Sequence, residues 1–407
     1  MKHNALRLLA LMLAAMMALM LVACSGGTTE PAPEDAADVS TTTAAEEDTT
    51  TTTASEAVEE ETTTAPESTT SAVKTTNGSK KPSSTKKVTT TSGKNVMTFT
   101  TTEGYTEATT AAPKNPLRVL SIGHSFSKDA MDTYLWDLLD SSGKYDYIVI
   151  AYLFYPGCSL DRQWDHISGR QGTDKDGNAY EYQQYRKTDP YTGEWELCYK
   201  PDEFKNLAAY AIQDEKWDII TLQPSPDYGT GPENCGGTND YEDVGNILNW
   251  IRSNKTNAKA KVYYHMTWAF SKDCKLWSYQ YSNWDQMTQY KGFVSATQKY
   301  IFNAHPNGFA GIIPAGTAIQ NARSSKLGDV FNMPGGYEAD NRTAKDGYHL
   351  NDRGDLVAAL TWYSVLTGKK ASTAKCPDEW KSEWKIFTEA VDNAVKKPYQ
   401  VTQSSYK

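Results

Sequence analysis

From Pro116 onward the chain carries five short apolar runs rich in β-formers, with helix-like stretches between them. The runs are Leu117–Ile122 before Gly123, Tyr145–Phe154 before Pro156 and Gly157, Trp217–Gln223 before Pro224, Lys261–Trp268, and Gly308–Pro314. Helical spacing follows the first run at Met131, Leu135, Leu138 and Leu139. It recurs over Phe204–Ile212, Tyr241–Arg252, Trp284–Asn303, Thr317–Ser324, Asp352–Thr367 and an exposed-looking Glu379–Val395. Strands that alternate with helices imply a mostly parallel sheet covered on both faces. The expectation is one α/β domain over 115–400 with a five-stranded sheet. A polar, aromatic insertion near 160–200 interrupts it, in which Tyr180–Tyr182 and Trp195–Leu197 read as a hairpin.

The first quarter of the chain follows other rules. Residues 1–24 read as an export signal: Lys2 and Arg7 precede an almost wholly apolar stretch from Leu8 to Val22. The sequence Leu21-Val-Ala-Cys24 followed by Ser-Gly-Gly resembles the bacterial lipobox, which implies cleavage before Cys24 and a lipid on its sulfur. Residues 25–113 are Thr-, Ser-, Ala- and Glu-rich and nearly devoid of large apolar side chains. Such a segment buries too little surface to offset its ordering entropy and reads as a disordered linker. At this length a flexible chain spans about 50 Å end to end. The expected location is therefore the outer face of a bacterial membrane, with a domain held away from it on a tether.

A net charge of −9 with no dense basic face argues against nucleic acid. Beyond Cys24 the cysteines are Cys158, Cys198, Cys235, Cys274 and Cys376, an odd number that leaves at least one thiol free if any pair. None has Cys-x-x-Cys spacing, so neither a zinc site nor a redox dithiol is expected; no other metal and no cofactor is indicated.

In an open parallel sheet, chemistry gathers at the carboxyl ends of the strands. There the chain places Gly123-His124-Ser125, then Gly157-Cys158-Ser159, then Gln223, then His265 and Trp268. Late in the chain Asp346 and His349 stand three apart before a helix capped by Asn351 or Asp352. That spacing lets the carboxylate hold one imidazole nitrogen while the other points to a hydroxyl, which a Ser-His-Asp site requires.

These ordered blocks resemble the SGNH/GDSL hydrolase superfamily. Within it they are similar to a branch with Ile-Gly-Asn-Ser-Phe-Ser at the start, a Trp-Asp-x-Ile-x-Leu-Gln third block and a terminal Asp-Gly-x-His-Leu. The likeness spans roughly Leu117 to Gly368. It implies a flavodoxin-like three-layer α/β/α sandwich and ester hydrolysis by acyl transfer, with acetyl or another small acyl group on a carbohydrate as substrate. Carried over, Ser125 is the nucleophile, His349 the base and Asp346 its orienting acid. The N–H groups of Ser125 and Gly157 and the amide of Gln223 form the oxyanion hole. Two positions depart from the pattern: His124 stands where Asp or Asn is usual, and Gln223 where Asn is usual.

Plainer roles stay open at this stage. Ser125, Asp346 and His349 suit helix capping, and Gln223 suits strand-end backbone pairing. His124, His265 and Trp268 are expected to line a substrate pocket or to support the fold, and Trp164, Trp195 and Trp277 either to stack on sugar rings or to pack in the core. A fold that binds glycan without turnover, or a lipoprotein receptor for import, are the competing functions.

Overall fold

The computed structural model describes residues 113–170, 180–187, 193–278, 284–334 and 346–407. The expected export signal, Cys24 and residues 25–112 of the linker lie outside the described residues.

Strand β1 (Pro116–Gly123) buries both faces: Leu117 and Val119 enter one apolar layer, Leu120 and Ile122 the other. Strand β2 (Tyr147–Phe154) does the same, with Ile148 and Ile150 opposite Val149, Ala151 and Leu153. Burial on two faces explains why these segments read as continuous apolar runs rather than alternating ones. With β5 (Ile219–Leu222), β6 (Lys261–His265) and β7 (Gly311–Ile313) they form the five parallel strands expected, in the order β2-β1-β5-β6-β7.

The sheet is larger than expected. The inserted hairpin forms β3 (Glu181–Tyr185) and β4 (Trp195–Leu197), which pair antiparallel onto β2 and bring the sheet to seven strands. Tyr182 and Gln184 point inward at alternate positions and are buried, so the period-two pattern of a half-buried strand fixes which face meets the core. By pairing with β2 the insertion also covers what would otherwise be an open parallel edge.

One helical layer holds α1 (Ser125–Met131), α2 (Leu135–Ser141), α7 (Ala315–Arg323), α8 (Asp352–Thr367) and α9 (Trp384–Lys396). The opposite layer holds α3 (Leu160–Ser168), α4 (Leu207–Asp214), α5 (Val244–Asn254) and α6 (Gln286–Ala296), which a π-helical stretch, Thr297–Asn303, continues. The three-layer α/β/α architecture is thus as expected. Helix α8 is buried almost all round and forms the centre of its layer. Helix α9 is a correction: it is not an exposed terminal helix. Ile386, Phe387, Ala390, Val391 and Ala394 form a stripe at helical spacing that packs against α7 and α8. All five described cysteines are free thiols, so no disulfide staples this part of the chain.

The order of the parallel strands has a consequence for function. After β1 the chain steps to β2 on one side, then crosses back to β5 on the other. In sheets of this kind the point of reversal, beyond the carboxyl ends of β1 and β5, is the crevice where ligands bind.

Candidate active site

Gly123 ends β1 at that crevice, and its lack of a side chain is required by packing. A methyl group there would collide with Ser127 Oγ and come 3.4 Å from Gln223 Oε1. The Gly123 carbonyl accepts from Gln163 Nε2 at 2.8 Å and from the Tyr155 N–H at 3.4 Å. Next comes His124, in extended backbone as the N-cap of α1. Its Nδ1 accepts from the Phe126 N–H at 3.3 Å, the contact an Asn or Asp cap would make. Its Nε2 lies 2.8 Å from the Pro224 carbonyl and donates to it, which ties the end of β1 to the end of β5. Burial of the ring lowers its pKa to about 4, against the carbonyl hydrogen bond, so it is neutral. This geometry accounts for histidine at a position where the resemblance leads one to expect Asn or Asp.

Ser125 is the first residue of α1 and is partly exposed at the crevice. Its hydroxyl makes no hydrogen bond with any described residue. Two residues on, Ser127 Oγ donates to Gln223 Oε1 at 2.7 Å. That bond fixes which end of the carboxamide faces where: Gln223 Nε2, though buried, has no partner among the described residues. An unpaired buried donor costs roughly 1–3 kcal/mol, so its presence at this spot points to an acceptor it is kept for. The extra methylene of Gln relative to Asn carries the amide to Ser127. Ser127 was not singled out from sequence, although it closes the same first block.

The Asp346–His349 loop comes from the far end of the chain. Asp346 Oδ2 lies 2.6 Å from His349 Nδ1, while Oδ1 accepts the N–H groups of Tyr348 at 2.9 Å and His349 at 3.0 Å. One carboxylate therefore folds the loop and orients the ring. Gly347 sits between them at φ +72°, and a side chain there would press on Ser271 and Cys274, 2.7 Å away. With Nδ1 engaged, His349 Nε2 is left without a hydrogen bond to any described residue. The imidazole is 19% exposed, enough for a ligand to reach it. Burial opposes its charged form, but the carboxylates of Asp346 and Asp129 outweigh that and raise its pKa to about 9. Asp346 moves the other way: burial disfavours its charge, yet the His349 ring and the N–H donors hold it below the usual carboxylate range.

The two halves of the site meet through Phe126. Its ring stacks on Trp268 with centroids 4.4 Å apart and meets the His349 ring edge-on at 5.5 Å. The residue next to Ser125 in the chain thus touches the His349 ring, although no hydrogen bond joins Ser125 and His349. Gly157, after β2, adopts φ +57°, is exposed, and has space around its Cα, as a backbone N–H offered to a ligand requires.

Three expected pocket residues take other roles. Trp268 is fully buried; its Nε1 donates to the Tyr348 carbonyl at 2.9 Å, so it braces the Asp346–His349 loop and offers no face to a sugar. His265 is fully buried and accepts from Trp362 Nε1 at 3.3 Å, with its pKa lowered to about 3 by burial. His124 is 1% exposed and caps α1 as described. Trp164, Trp195 and Trp277 are half-buried. Asp240, which carried no sequence signal beyond its type, is buried and accepts the N–H groups of Leu160 and Ser225, joining the segments after β2 and β5.

The family model DUF4886, described as a domain of unknown function, matches residues 118–394. A crystal structure of a DUF4886 family protein from Bacteroides uniformis ATCC 8492 is 29% identical, with a TM-score of 0.56, over 71% of this chain and 98% of that one. A protein from Slackia heliotrinireducens, described as a candidate SGNH hydrolase, is 14% identical with a TM-score of 0.36, over 62% of this chain and 100% of that one. An acetyl xylan esterase, AlAXEase, is 11% identical with a TM-score of 0.33, over 61% and 100%. No curated protein matches.

Proposed function

The chain belongs to the DUF4886 family, and on that footing we propose that it is a serine ester hydrolase of SGNH type acting through Ser125, His349 and Asp346. The observation that carries this reading is the Asp346–His349 pair, with Nδ1 held and Nε2 free, beside the helix that Ser125 begins. In the reaction His349 Nε2 takes the proton of Ser125 as its oxygen attacks the ester carbonyl. The N–H groups of Ser125 and Gly157 and the Nε2 of Gln223 receive the oxyanion. His349 then protonates the leaving alcohol, and water releases the acyl group by the same steps reversed.

The substrate class in this proposal is a small acyl group, acetyl above all, on a carbohydrate. The Thr/Ser-rich tether and lipobox support it, because they would hold the domain at the outer surface of a bacterial cell through a lipid on Cys24, among surface glycans. The test is turnover of p-nitrophenyl acetate by the full chain. Ser125→Ala is expected to lower kcat by about 10⁴-fold or more; unchanged turnover in that variant would end the esterase reading. One observation favours a second reading, glycan binding without turnover: Ser125 Oγ is not hydrogen-bonded to His349. In hydrolases that bond often tightens only with substrate in place, and binding of an acetylated glycan that stays intact in wild type would support the second reading.

A further inference from the structure

Asp129 lies four residues after Ser125, one helical turn along the same face of α1. Its Oδ2 accepts the N–H of Leu350 at 3.0 Å, the residue directly after His349. The helix that begins with the nucleophile is therefore fastened to the loop that carries the base, across 221 positions of sequence. Phe126 adds ring packing on Tyr348 and His349 between the same two segments.

We propose that Asp129 is the positioning residue of this site: it sets the spacing of Ser125 and His349, and it presents a second carboxylate to the imidazole. This rests on the esterase reading for its catalytic meaning but not for its geometry. The charged and titratable groups acting on the pair come from each neighbouring element. Asp346 acts from the loop itself and Asp129 from α1; Lys128 bears on Asp129, and His349 in turn bears on His124 at the helix entry. Burial and the charge of Asp346 raise Asp129 to about 6, against the pull of His349 and the Leu350 N–H. Two carboxylates then share one imidazole. Asp346 fixes its tautomer through Nδ1, and Asp129 adds negative charge that stabilises the imidazolium formed as the serine loses its proton. Asp129 touches no reacting atom in this scheme.

Two substitutions separate the parts of the role. Asp129→Asn keeps an oxygen for the Leu350 N–H and removes the charge; Asp129→Ala removes both. Titration of His349 by NMR in the full chain, with its resonance identified by its loss in His349→Gln, requires no turnover. Asp129→Asn is expected to lower the His349 midpoint by about one pH unit. It should move the rising limb of the kcat/KM profile for p-nitrophenyl acetate to lower pH by the same amount. Asp129→Ala should in addition lower kcat by about tenfold or more with little change in KM, since the nucleophile–base spacing is lost. A His349 midpoint unmoved in Asp129→Asn would overturn the proposal, as would equal kcat losses in both variants with the pH limb unshifted. A wild-type chain without turnover, in which Asp129→Asn still lowers the midpoint, would support the placement of Asp129 and overturn the esterase reading alone.

Discussion

Buried histidines at the two sides of the crevice behave in opposite ways. At the strand ends His124 and His265 are enclosed by carbonyl, indole and aromatic neighbours, with no carboxylate at hand, and burial drives both to the neutral form. On the loop after the last strand His349 is likewise desolvated, yet two aspartates overcome that and raise its pKa to about 9. Residue type therefore does not distinguish a structural histidine from a candidate base, although His349 is partly exposed where His124 and His265 are not. What distinguishes them is whether a carboxylate is held at one ring nitrogen and nothing at the other.

The contrast is broken most directly by removing each ring. His349→Gln should lower esterase turnover by about 10⁴-fold while the chain still folds, with a melting temperature lowered at neutral pH by loss of the Asp346–His349 pair. His124→Asn should keep turnover within about tenfold, because Asn supplies the same cap acceptor. Equal losses in both would show that the strand-end histidine belongs to the chemistry after all.

A smaller effect tests the amide between them. Gln223→Leu removes the unpartnered Nε2 and should lower kcat by about 10²-fold, near 3 kcal/mol of barrier, with KM nearly constant. Ser127→Ala leaves the amide in place but unheld, and a loss of about tenfold or less is expected. If Gln223→Leu lowered only the melting temperature, the orphan donor would have a role in packing alone.

The pH dependence comes from the same shifts, with signs worked out separately. His349 must be neutral to take a proton, so kcat/KM should rise with pH through about 9 and level off above it. Its raised pKa also stabilises the fold fully below about 6.5, and that contribution fades as pH rises through 9. His124 and His265 have depressed values, so their contribution is present above about 6.5 and is lost as pH falls towards 4 and 3. Thermal melting across pH should show both declines. His349→Gln should remove the alkaline one only, and a melting profile flat on the alkaline side in wild type would contradict the raised value.

Much of this was legible in order along the chain. Apolar runs ending at Gly123, at Pro156-Gly157 and at Pro224 announced parallel strands, and the spacing of Asp346 and His349 announced a loop in which one could hold the other. The hairpin at Tyr182 and Trp195 was also legible, but not that it would extend the sheet, because pairing partners far apart in sequence leave no local mark. Helix α9 misled for a similar reason: its apolar stripe shows on one face, and only its neighbours α7 and α8 make that face interior.

The sequence by itself determined the strand and helix periods, the glycines that end β1 and turn the Asp346–His349 loop, and the residue types a Ser-His-Asp site needs. These are short-range matters, dictated by backbone sterics and side-chain spacing. Only the tertiary structure decided that His124 would cap α1 and bind the Pro224 carbonyl, that Ser127 would leave one end of Gln223 unpaired, and that Asp129 would reach Leu350. Each of these depends on which groups lose water together when distant strand ends converge, and the cost of an unpaired buried group is set by that convergence. In the fold, the departure at His124 is a substitute cap that ties two strand ends together beneath the serine.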